Sequence, residues 1–197
     1  MSGYKPIGVE ELYSFFGAAT TSTPTASPGG TITATYPPIV VPAGYMDRVG
    51  VWSSSLRLMM GGLMTATATV PTWQFGCYAS VATTSAPAFA TSGITLFTSN
   101  TNTPAVTTAN QPWDMDVHIG LRTLAQGAAS VVACWGKITG LAWASPFQLT
   151  VPGTGAYTPP STWDNTQSYV LWPALILGAA TAGNTVTVEY CKLYGES

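Results

Sequence analysis

The sequence predicts an all-β chain: an antiparallel, jelly-roll-like β-sandwich of about eight strands with a short helical arm at its N-terminus. Three observations predict it. Beyond residue 31, apolar and polar residues alternate with the period of two that puts one strand face on a core and the other outward. Turn chemistry interrupts this alternation at short intervals, from 20 Gly and 15 Pro among 197 residues. Charge is scarce, with 7% Asp, Glu, Lys and Arg against 46% hydrophobic residues, where an average globular chain carries about 25% charged. Thr, Ser, Asn and Gln then keep the outside wet, or copies of the chain or a partner cover it.

The elements follow in order. In "GVEELYSFFG" (8–17), Val9, Leu12, Tyr13 and Phe16 fall at helical spacing, with Glu10 and Glu11 in the first turn and Gly17 as a stop. This predicts one short helix. "AATTSTPTASPGG" (18–30) is a Ser/Thr/Pro/Gly tether. Residues 1–30 therefore read as an arm and linker and residues 31–197 as the sandwich domain. The arm's four apolar side chains are the candidate partner-binding anchors, and a helix folded back on its own domain is the competing reading.

Strands are expected at "TITATY" (31–36), at "YMDRVGVWSSSLRLMM" (45–60) up to a stop at Gly61-Gly62, at "TWQFGCYA" (72–79) and at "GITLFTS" (93–99). "PWDMDVHIGLRTLAQGAASVVACWGKITG" (112–140) reads as two strands joined around Gln126-Gly127, since Gly127 supplies the positive φ of a tight hairpin. "QSYVLWPALIL" (167–177) and "TVTVEYCKLYG" (185–195) read as a final pair around Gly183-Asn184.

Composition excludes several classes. The six basic residues are scattered and net charge is −2, so no phosphate-tracking patch forms and nucleic acid is not an expected partner. The longest apolar run, "YVLWPALILGAATAG" (169–183), is too short for a bilayer helix and holds Pro173. "MSGYKPIGVEEL" lacks the basic start and apolar core of a secretory signal, which places synthesis in a cytosol. Cys77, Cys134 and Cys191 are odd in number and far apart, and read as buried free thiols.

Two constellations invite chemistry. Asp114, Asp116 and His118 alternate on one strand and share a face opposite Trp113, Met115, Val117, Ile119 and Leu121. A metal site comes to mind, but His118 is the sole histidine. A polar face opposite a core face accounts for the pattern, so no metal and no cofactor are expected. No G-x-S-x-G elbow, P-loop or G-x-G-x-x-G is present, and the chain reads as not an enzyme, with no catalytic residue to name. Separately, Trp143, Tyr157, Trp163 and Tyr169 lie in a loop-rich stretch and are the candidate exposed aromatic contacts for a sugar, against core or interface packing as the plainer role.

A charge-poor β-sandwich with an N-terminal arm, with strands such as "TWQFGCYAS" and with "PWDMDVHIGLRTLA" leading into "ASVVACWGKITG", resembles the head decoration and minor capsid proteins of tailed bacteriophages. The resemblance implies a non-enzymatic structural virion protein. It implies self-association as a homotrimer and docking on the major capsid protein of a phage shell. A tail or fibre module that binds a receptor or glycan is the alternative.

Overall fold

Alternation decides most of the architecture. The computed structural model describes residues 9–22, 39–46, 55–66, 72–81, 94–102, 108–123, 130–140, 147–153, 162–177 and 184–196. Along them run β1 (Val9–Ser22), β2 (Ile39–Val41), β3 (Ser55–Ala66), β4 (Trp73–Val81), β5 (Ile94–Thr98), β6 (Thr108–Thr123), β7 (Val131–Gly140), β8 (Phe147–Val151), β9 (Tyr169–Leu177) and β10 (Thr185–Glu196). In β3, Leu56, Leu58 and Met60 are buried between partly exposed Ser55, Arg57 and Met59. In β6, Trp113, Met115, Val117 and Ile119 are buried, and Asp114, Asp116 and His118 turn outward. The period-two reading holds over 55–60 and 113–119, whereas Tyr45 and Met46, expected to open the first of these strands, lie in a turn, and 47–54 lie outside the described residues.

Among the described residues all pairings are antiparallel, in a six-stranded sheet ordered β1-β10-β3-β6-β7-β8 and a four-stranded sheet ordered β2-β9-β4-β5. The quartets β1-β10-β3-β6 and β2-β9-β4-β5 have the strand order of a jelly roll. β7 and β8 extend the larger sheet at the edge beside β6. Between the sheets lies one apolar core in which Phe75 of β4 meets Trp113 of β6 at 5.2 Å between ring centroids. Cys77, Cys134 and Cys191 are buried free thiols in it, and desolvation pushes the Cys77 thiol well up and that of Cys191 up to about 12. Both stay protonated and unreactive.

Four local expectations are corrected. Residues 9–22 form strand β1, not a helix, pairing from Val9↔Glu196 to Ser22↔Val186. The free edge of β10 offers a ladder of backbone partners, whereas a ten-residue helix is marginal in water. A boundary after residue 30 would therefore separate β1 from the sheet it completes. β3 runs through Gly61-Gly62 to Ala66. The two glycines fit close approaches: a Cβ on Gly62 would lie 1.9 Å from the Thr187 carbonyl oxygen, and one on Gly61 would lie 2.5 Å from the Tyr190 ring. Both sit beside the register shift between Val188 and Tyr190. β9 and β10 are not a pair, since β9 lies between β2 and β4, and β10 between β1 and β3. Each buries its apolar face against the core from opposite sides. Finally, β2 and β8 were not expected, being three and five residues long, and the strand expected at 31–36 lies outside the described residues.

Candidate functional site

The outer face of the six-stranded sheet carries Glu11, Arg57, Asp114, Asp116, Lys137, Lys192 and Glu196, half of the chain's 14 charged residues. Register builds it in rows that cross five strands. One row runs Glu11, Tyr194, Arg57, His118, Trp135; the next runs Ser14, Lys192, Met59, Asp116, Lys137; a third runs Phe16, Tyr190, Gly61, Asp114, Thr139. No row is local in sequence. Strands lie about 4.8 Å apart, so each row places side chains from both ends of the chain within contact distance.

The contacts follow from this lattice. Arg57 donates Nε and Nη2 to the two oxygens of Asp116 at 2.8 and 2.6 Å. This bidentate bond holds the Asp116 carboxyl below its ordinary range and raises Arg57. Glu196 Oε2 accepts from Ser55 Oγ at 3.3 Å and lies 3.1 Å from His118 Nδ1. Tyr190 donates its hydroxyl to Asp114, and burial together with that carboxylate pushes the phenol well up. Lys192 sits over the Phe16 ring at 4.7 Å and 3.8 Å from Glu11 Oε2. Asp114, Asp116 and His118 thus share a face but turn to three different partners. Among the described residues, no group of three or more His, Cys, Asp or Glu could hold a metal ion.

Trp135 stands out on this face. It is 49% exposed. The His118 ring stacks on it in parallel, 5° between planes and 5.6 Å between centroids. Gly120 leaves room for it, since a Cβ there would lie 2.8 Å from the indole. β8 ends at Val151, opposite Gly136, so the strand that flanks β7 stops short of Trp135.

The other expected aromatic contacts fall elsewhere. Trp163 and Tyr169 are 2% and 3% exposed and stack on each other at 4.0 Å, which corrects their reading as exposed. Tyr169 takes a hydrogen bond from the Asp164 amide, and Asn165 donates to Ser130 Oγ; the pair ties a loop to the sheets. Trp143 and Tyr157 lie outside the described residues. Of the expected arm contacts, Val9 and Phe16 are each 67% exposed, while Leu12 and Tyr13 pack partly buried against the core. The sequence reading missed Trp135, although "VVACWGKITG" carries the signal: Val132 and Cys134 point inward, so Trp135 points outward.

Among the described residues, no helix is long and apolar enough to cross a membrane. The chain matches no family model and no curated protein. Among solved structures it is similar to an endo-1,3-beta-glucanase from Streptomyces sioyaensis, at 11% identity and a TM-score of 0.32 over 100% of both chains. The expectation that the chain is not an enzyme is withdrawn. The expectation rested on missing motifs, yet a glycosidase works with two carboxylates brought together from separate strands and needs no local signature. Similarity of this size locates no active site in the present chain, and the glucanase activity belongs to the other protein.

Proposed function

We propose that the chain is a structural component of a virus particle, of the head-decoration or minor-capsid kind found in tailed bacteriophages. It associates with copies of itself as a trimer and adds contacts across a shell of major capsid protein. One observation carries this reading: β2, β4, β5 and β9, the whole four-stranded sheet of a jelly roll, contain no Asp, Glu, Lys or Arg.

One face of such a sheet lines the core. Its other face has only uncharged groups to set against water, and charge depletion marks the centre of protein interfaces. Val40 and Val81, at 43% and 47% exposure, add apolar surface there and at the sheet's end. Jelly rolls serve as building blocks of viral shells, as well as in lectins and cupins, so the strand order is compatible with this role by analogy of fold. Trimerisation makes shell binding effective, because the second and third contacts of one trimer are intramolecular.

Sedimentation velocity on the purified chain at tens of micromolar, with no shell present, tests the reading together with quantitative mass spectrometry of the particle that contains it. A stable trimer, present in fixed ratio to the major shell protein, is the expected result. A stable monomer absent from assembled particles would refute it.

A further inference from the structure

The chemistry around Trp135 is organised beyond what folding needs. Arg57 spends Nε and Nη2 on Asp116, and its Nη1 has no partner among the described residues. Glu196 engages Oε2 with Ser55 and His118, and its Oε1 has no partner among the described residues. His118 Nε2 and the Trp135 indole N–H are likewise unengaged among the described residues, and Lys137, beside Asp116 in the next row, is exposed. Arg57, Asp116, His118 and Glu196 are already held by their bonds to one another and to Ser55, so few of their rotamers would be lost on binding a ligand.

We infer that this face, centred on Trp135 with Arg57, Asp116, His118, Glu196 and Lys137 around it, is a binding site for a neutral saccharide. Three features select that class. A pyranose ring presents an apolar C–H side that stacks on a half-exposed indole, and stacking needs no charge. Its hydroxyls donate and accept at once, which suits a fan of open donors on Arg57 and Lys137 beside open acceptors on Glu196. The two cations balance the two carboxylates, so neither an anionic polymer nor a cationic ligand is favoured. A flat, open surface of this kind reads one or two sugar units of a chain, with affinity from repetition along the polymer or across copies. The inference does not depend on how the chain assembles.

Isothermal titration calorimetry of the full chain with maltohexaose, cellohexaose and hexa-N-acetylchitohexaose tests it. The expected result is saturable binding of at least one of them, weakened at least tenfold by Trp135→Ala and largely restored by Trp135→Phe. Circular dichroism melts of both variants should match the parent, since the side chain is half outside the fold. No binding by any of the three sugars, or binding indifferent to Trp135→Ala, overturns the proposal. A Trp135→Ala variant that instead dissociates the oligomer, with no sugar bound by the parent, overturns it too and makes the face an interface between copies. Sedimentation of the parent chain reports on assembly separately, so the two ideas fail independently.

Discussion

At the scale of single residues, close approach and pairing make the sharpest demands. Gly62 faces the Thr187 backbone at a distance no Cβ can occupy, and the obstacle is main chain in the middle of a sheet, which cannot rotate away. Gly62→Ala is expected to lower stability by about 1–3 kcal/mol or more, read as a shift of the urea midpoint; an unchanged midpoint would show that β10 moves freely. Asp116 gives a pH signature. Its folded pKa lies below the ordinary 3.8 because the Arg57 guanidinium bonds it. The pair therefore stabilises fully above about pH 4, and the contribution is lost as pH falls through the folded value. With side chains 36% and 22% exposed, it is worth about 0.5–1 kcal/mol. Asp116→Asn should cost that amount at pH 7 and flatten the stability curve below pH 4. An acid slope identical to the parent's would show that Asp116 is not linked to folding.

At the scale of elements, β1 is the decisive case. A detachable helical arm predicts that removing residues 1–22 leaves the sandwich unchanged. An edge strand predicts otherwise. Leu12, Tyr13 and Phe15 pack partly buried on the core, and Tyr13's phenol is pushed up to about 12, first by that burial. Fully burying a large apolar side chain is worth about 1.5–3 kcal/mol, so three partly buried ones plus the β1–β10 ladder amount to a substantial share of a stability of about 5–15 kcal/mol. Deleting residues 1–22 should lower the thermal midpoint by about 10 °C or more and promote aggregation through the bared edge of β10. A truncated chain that melts with the parent and stays dispersed would restore the arm as a separate device. The apolar stripe in "VEELYSFF" could not settle this, because the same residues serve a strand once the register shift between Glu11 and Tyr13 carries Tyr13 to the core side.

At the scale of the whole molecule, charge is distributed by sheet. Arg57, Asp114, Asp116, Lys137, Lys192 and Glu196 lie on strands of the larger sheet, and the smaller sheet has none. One side of the sandwich thus carries charge on its outer face, and the strands of the other carry none. The sequence by itself determined which side chains share a strand face, as for Asp114, Asp116 and His118 opposite Trp113, Met115 and Val117, because alternation is a property of the extended backbone. It also determined the all-β class and the poverty of charge, which are matters of composition and local period. Only the tertiary structure decided which strands are neighbours. That choice turned residues 9–22 into a strand, sent β9 and β10 to different sheets, and set Trp135 of β7, His118 of β6, Arg57 of β3 and Tyr194 of β10 in one row. Hydrogen-bonded pairing between strands joins residues far apart in the chain, and no local spacing encodes the partner that a backbone edge will find.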